Sequence, residues 1–232
     1  MRVAIMQPYF LPYIGYFQLI AAVDKFVVYD NVKYTKKGWI NRNRILQNGK
    51  DVVFTLPLKA GSDALNIVDR ELAADFSREK LFNQVLEAYR RAPYFRQTIG
   101  MVEEVVMYGN ANLFEFLKHS IVLTRRHLNL GTEIQCSSTI PIDHGLKSQE
   151  KVLAICEAVG ATTYINPIGG TDLYSSEVFQ SRNIELRFIE SQPLNYAQFE
   201  HDFVPWLSIV DVMMFNSQQE VIAKVTGNYR FA

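Results

Sequence analysis

The first thirty residues constrain the fold more than any other part of the chain. Arg2 to Gln7 is a short apolar run closed by Pro8, and Lys25 to Asp30 is a second run that closes on an acidic residue. Between them Ile14, Phe17, Leu19, Ile20, Ala21 and Val23 fit a short helix. Strand, helix and strand in so short a span make a βαβ unit, which dictates a parallel sheet and a right-handed crossover. The loop Gln7-Pro8-Tyr9-Phe10-Leu11-Pro12 then emerges at the carboxyl end of the first strand, where open α/β sheets hold ligands.

The same rhythm returns in the second half. Glu133 to Ser138, Thr162 to Asn166 and Ile184 to Ile189 read as strands, the last with a period-two polarity suited to a sheet edge. Ser148 to Val159, capped by Ser148 and stopped by Gly160, and Ser176 to Arg182 read as helices. Asn48-Gly49 between two apolar runs predicts a hairpin. Three helical segments fill Ser77 to Leu128, with Asn129-Leu130-Gly131 as the stop of the third, and Leu207 to Lys224 reads as one further helix. The expected architecture is one α/β domain over residues 1–232. Its core is a doubly wound, mostly parallel sheet, nucleotidylyltransferase-like or Rossmann-like, with a β-hairpin and a helical insert at roughly residues 77–130.

Composition sets outer limits on function. Twenty-four basic residues balance twenty-four acidic ones, which leaves no surplus charge for coating a nucleic acid. Two cysteines, Cys136 and Cys156, cannot form a disulfide framework or a four-cysteine zinc site, and read as small buried hydrophobes in a reducing cytosol. The histidines lack metal-ligand spacing, so no metal site is expected. No run approaches the length of a membrane span and the N-terminus lacks a signal peptide's apolar region, so the expected location is the cytoplasm.

Three segments carry candidate chemistry. In the first loop, Gln7 and Tyr9 stand at the end of a strand and Gly15 opens the helix, whose free N–H groups suit an anion. The second segment runs from Asp30 to Arg44. Asp30 could orient an amine or ribose hydroxyl or act as a base, Lys37 and Arg42 could neutralise a diphosphate, Trp39 could stack on a base or sugar, and Asn41 could orient the ligand. Such a charge run is as often simply a solvated face. Lys59, after the second hairpin strand, could reach the same end of the sheet. The third segment is a pair of later loops. One holds His144, beside Asp143, for acid–base work and Lys147 for negative charge; the other holds Asn166, Gly169 and Gly170, where paired glycines allow close backbone approach. Asp211 is a further binding candidate, with internal pairing as its plainer role.

Several segments together resemble a known family. Ile5-Met6-Gln7-Pro8-Tyr9-Phe10-Leu11-Pro12-Tyr13-Ile14-Gly15, Asp30 through Arg44, Leu56-Pro57-Leu58-Lys59, Tyr196-Ala197-Gln198 and Phe203 through Asp211 look like the WbqC-like proteins. The resemblance spreads over essentially the whole chain. It implies a setting among bacterial surface-polysaccharide genes, with amino-sugar or O-antigen assembly as the context. Members often carry His before the Gln-Pro pair and Trp before Ile-Gly; here these positions are Met6 and Tyr13, so any chemistry that histidine supplies in relatives is missing.

The resulting expectation is an enzyme that modifies a nucleotide-linked amino sugar by amide formation, as an N-acyltransferase or amide-forming ligase. ATP with magnesium, or an acyl-CoA donor, would be its co-substrate. Its expected partner is that small molecule, with no nucleic acid; a homo-oligomer is compatible with the sequence. The alternatives are a nucleotidyltransferase using ATP or CTP and a non-catalytic scaffold of polysaccharide assembly.

Overall fold

The computed structural model describes residues 1–62 and 64–232. Strand β1 (Arg2–Met6), helix α1 (Ile14–Ala21) and strand β2 (Lys25–Val28) form the opening unit, with β1 and β2 parallel. Further along lie β5 (Glu133–Cys136), α5 (Ser148–Ala158), β6 (Thr163–Pro167), α6 (Ser176–Ser181), β7 (Glu185–Ser191) and β8 (Tyr229–Phe231), which complete a six-stranded sheet in the order β5-β2-β1-β6-β7-β8. Counting only its own strands, that order is 3-2-1-4-5-6, the doubly wound arrangement, with the switch point between β1 and β6. Only β8 runs antiparallel.

Side-chain alternation packs both faces. Val3 and Ile5 of β1 join a core with Val152, Ile155, Cys156 and Phe179 from α5 and α6, while Ala4 joins the larger core on the opposite face with α1 and the C-terminal helices. The hairpin, β3 (Arg42–Gln47) and β4 (Lys50–Thr55), is a separate two-stranded sheet closed by Asn48 and Gly49, both at positive φ. The insert consists of α2 (Arg78–Tyr89), α3 (Phe95–Val106) and α4 (Leu113–His127), and buries its apolar stripes in the larger core. Asn129, at φ 51°, ends α4 in the left-handed conformation.

Four details depart from expectation. β7 is not an edge strand, since β8 pairs with its Ile189–Ser191 end; the polar alternation belongs to the half that β8 leaves uncovered. The C-terminal helix is two helices, α7 (Ile209–Phe215) and α8 (Gln218–Gly227), because Ser217 and Glu220 form a capping box that starts the second. Ser148 does not cap α5: it enters the helix at φ 48°, and Lys147 holds the cap position without a side-chain bond. The stretch after β6 is a 3₁₀ turn, Ile168–Leu173, rather than an open loop.

Candidate functional site

Because β1, β2, β5 and β6 run parallel, the segments that follow them share one edge of the sheet. The segment after β1 is tied down along its length. Phe10 and Leu11 are fully buried, and their carbonyls accept hydrogen bonds from Asn43 Nδ2 at 3.1 and 2.8 Å, while Ser208 Oγ donates to the Leu11 carbonyl at 2.7 Å. A second asparagine does the same work nearby. Asn41 Nδ2 donates to the Leu56 carbonyl and its Oδ1 accepts from the Tyr34 hydroxyl, both at 2.8 Å. The Asn-Arg-Asn block therefore staples two irregular segments by supplying donors to their buried backbone carbonyls.

What these staples hold open is a cleft of about 570 Å³ above the switch point. Met6, Tyr9, Tyr13, Gly15 and Tyr16 supply one side, Trp39, Asn43 and Arg44 another, and Pro167, Ile168, Gly169, Ile189, Ser191 and Trp206 the rest. Both tryptophans of the chain are here, 42% and 62% exposed. Trp206 also has φ 62°, a left-handed conformation that bulky residues rarely adopt. Its ring meets the Tyr13 ring edge-on at 5.6 Å. Arg44 organises this wall: its guanidinium lies 5.3 Å from the Trp39 ring centroid, donates to the Trp206 carbonyl at 3.1 Å and pairs with Asp51 at 3.1 Å. Arg42 approaches the Trp39 ring too, at 5.7 Å.

The start of α1 is covered by a side chain. A Cβ on Gly15 would lie 2.1 Å from Tyr13 Oη and 2.6 Å from Ser191 Oγ, so glycine is what lets the Tyr13 phenol cross the helix's first turn. That hydroxyl and Ser191 Oγ are 3.2 Å apart, and Ser191 Oγ donates to Gln18 Oε1 at 2.6 Å. Tyr13 thus occupies the place where dinucleotide-binding sheets of this order hold a pyrophosphate. Burial pushes the Tyr9 phenol above its ordinary range and the Tyr16 phenol further, so both are neutral walls at physiological pH.

The residues picked out from sequence divide into groups. Tyr9, Trp39 and Gly169 line the cleft; Gln7 does not, but its backbone carbonyl reaches a lining residue, accepting from the Tyr16 hydroxyl at 3.0 Å. Arg42 donates to the Gly38 and Lys37 carbonyls, which folds the exposed Lys37 segment into a turn. Asn166 accepts from Tyr164 at 3.2 Å, and Gly170 is buried against it so closely that a Cβ would meet Asn166 Nδ2 at 2.0 Å. Asp30, fully buried, belongs to a separate cluster above β2 and β5. Its carboxylate accepts from Ser137 Oγ at 2.6 Å and from Ser138 N and Oγ at 2.9 and 2.5 Å. His144 is exposed at the rim of that cluster, with Nδ1 2.8 Å from Asn31 Nδ2, and Lys147 is exposed beyond it. Lys59 is an exposed partner of Glu71 at 2.7 Å.

Asp211 lies behind the cleft wall. It is fully buried and accepts hydrogen bonds from the Tyr89 and Tyr196 hydroxyls and Gln198 Nε2 at 2.8, 2.7 and 2.7 Å. Burial raises its carboxyl to about 6, with those three donors pulling the other way. Gln198 in turn exchanges two hydrogen bonds with Val204, so Asp211 anchors the segment that leads to Trp206.

The sequence reading did not single out Tyr13, Arg44, Ser191 or Trp206 as binding residues. A signal was available for one of them: Trp206 is one of only two tryptophans in the chain and directly follows Pro205. Among the described residues no group of three or more His, Cys, Asp or Glu could hold a metal ion, and no helix is long and apolar enough to cross a membrane.

A family model described as the WbqC-like protein family matches residues 7–223. An uncharacterized protein of Mycobacterium tuberculosis is 27% identical over 218 residues, which span 93% of this chain and 93% of that one. No solved structure matches.

Proposed function

The chain belongs to the WbqC-like protein family, and from that premise we propose that it is an enzyme of bacterial surface-polysaccharide, or O-antigen, biosynthesis that modifies a nucleotide-linked amino sugar by forming an amide. The observation that carries this reading is the pair of exposed tryptophans walling a cleft at the switch point of a doubly wound sheet. An exposed indole held on a left-handed backbone costs stability twice, and a ligand-binding role accounts for both costs. The volume suits a small molecule. Sugar C–H faces and nucleobases pack on indole and phenol rings, and Ser191 and the backbone beside Gly169 can meet hydroxyls.

In the proposed reaction the amine lone pair attacks the acyl carbonyl of a thioester, the C–S bond breaks, and the thiolate leaving group takes up the proton that the amine loses. The described residues lining the cleft include no carboxylate and no histidine. The protein's contribution is then to orient the two reactants and exclude water, with the amine entering as the neutral base. That same lining favours a second reading, a binding protein of polysaccharide assembly that turns nothing over. Nucleotidyl transfer from ATP or CTP fits less well, because Met6 stands where relatives often have histidine and Tyr13 covers the start of α1.

The test is to incubate the protein with UDP- and dTDP-linked amino sugars and acyl-CoA donors, with and without ATP and magnesium, following thermal stability and product mass. A ligand at a hundred times its Kd stabilises by about 2.7 kcal/mol. Stabilisation by a nucleotide amino sugar, together with an acylated sugar and stoichiometric free CoA, is the expected result. Stabilisation without product moves the reading to the binding protein, and no response to any nucleotide sugar removes both.

A further inference from the structure

Strand β3 serves two openings. Arg44 lines the aromatic cleft, while Arg42, two residues earlier, lines a shallow groove of about 320 Å³ that also takes in Tyr34, Thr55, Leu58 and Arg70. Arg70 is the anomaly of that groove. It is only 6% exposed, and its guanidinium lies 4.9 Å from the Tyr34 ring centroid. One nitrogen makes a long bond to the Ser62 carbonyl, at 3.3 Å, and Nε is buried with no partner. No ion pair to Arg70 occurs among the described residues. An arginine has five N–H donors and cannot shed its charge, so a buried one with a single hydrogen bond, a ring face and no ion pair among the described residues is short of partners there.

Arg42 is a second cation on the groove, half-buried and bonded to two backbone carbonyls and to no carboxylate among the described residues. The field of both converges on Tyr34. Burial raises that phenol, and the charges of Arg70, Arg42 and Lys36 oppose the rise. We propose that this groove is a binding site for a phosphoryl group, anchored by the guanidinium groups of Arg70 and Arg42. Two guanidinium groups facing one groove match a multiply charged phosphate or diphosphate better than a singly charged carboxylate, and each fork can present paired donors to its oxygens. The open shape of the groove suits the charged end of a larger molecule. That molecule is either the nucleotide sugar, reaching across the Trp39 stack from the cleft, or a separate phosphate-bearing co-substrate.

The inference does not rest on the proposed reaction, because its probe is inorganic pyrophosphate, titrated calorimetrically into the full chain. Pyrophosphate is expected to bind wild type, to bind Arg42→Gln and Arg70→Gln at least tenfold more weakly, and to bind Trp206→Ala unchanged. Circular dichroism of each variant checks folding; should Arg70→Gln fail to fold, Arg42→Gln carries the test alone. No heat from wild type at millimolar pyrophosphate, or equal affinity in wild type and Arg42→Gln, overturns the site. Displacement of pyrophosphate then identifies the source. A nucleotide sugar that competes in wild type and loses affinity in Trp206→Ala brings its own diphosphate, whereas ATP or CoA competing equally in both proteins is the co-substrate, and either result supports the site. If pyrophosphate binds but no nucleotide sugar does, the groove stands and the reading of the cleft falls.

Discussion

The carboxyl edge of one sheet carries two polar regions that are built in opposite ways. Above β2 and β5, Asp30, Ser137 and Ser138 are bonded to one another, and Lys151 reaches the Asn31 carbonyl at 3.1 Å and stands over the Tyr29 ring at 5.3 Å. Above β1, β6 and β7 the groups are largely aromatic and line a cleft of about 570 Å³. The first region holds most of the residue types that acid–base chemistry uses, yet they are already satisfied by one another. The second holds few such groups but has the room and the exposed rings that a ligand needs. Reactive residue types and a usable site are therefore separate properties of this edge, and experiments can show whether they stay separate.

The largest effect should come from removing the centre of the closed region. Asp30→Ala strips the carboxylate from two serine hydroxyls and a backbone N–H, which removes three charge-assisted hydrogen bonds to one buried acceptor. The cost should be on the order of 3–5 kcal/mol in denaturant unfolding, with ligand affinity per folded molecule little changed. An Asp30→Ala protein of wild-type stability that has lost activity would break the comparison, because Asp30 would then be a chemical group and not a brace.

Asp211 gives the next effect, through pH. Its carboxyl is raised to about 6 by burial, above the roughly 3.9 of an unfolded aspartate. The folded protein thus keeps a proton that the unfolded chain releases. The stability this contributes is full below about pH 4 and is lost as pH rises through about 6, to a total of roughly 2–3 kcal/mol. Measured as the difference in unfolding free energy between wild type and Asp211→Asn, wild type should lose that amount between pH 4 and 7. A flat difference would mean that the three donors, and not burial, set the charge of Asp211.

These two aspartates also mark how far the sequence can be read. The mostly parallel α/β class, the hairpin and the three-helix insert follow from local periodicity and turn residues, which act over a few neighbours. The candidate site is only partly legible. Asn41 attracts attention as a polar residue near a tryptophan, yet its side chain and that of Asn43 are spent on the carbonyls of Leu56, Phe10 and Leu11. Nothing near Asp30 in sequence announces Ser137 and Ser138, and nothing near Tyr13 announces Ser191. Such contacts between distant residues arise from the strand order, so residue type alone does not distinguish a polar group that is satisfied from one that awaits a ligand. The same limit hid β8, which makes an interior strand of β7's C-terminal half from the far end of the chain.

The smallest stability effect, and the sharpest separation of the two regions, belongs to Trp206. Its ring is mostly exposed and touches Tyr13 by an edge, so truncation removes little burial. Trp206→Gly removes the ring and also relieves the left-handed backbone, for which a non-glycine residue carries about 1–2 kcal/mol. The added freedom of glycine in the unfolded chain offsets part of that relief, at about 0.5–1 kcal/mol. Unfolding should therefore change by no more than about 1 kcal/mol, in either direction, while affinity for the cleft's ligand falls at least tenfold, or about 1.4 kcal/mol. Trp206→Ala, which keeps the backbone strain, separates the terms: a similar loss of affinity with slightly lower stability assigns the binding to the ring. If both variants bind as wild type does, the exposed indole is not a ligand wall, and the open region loses the feature that distinguishes it from the closed one.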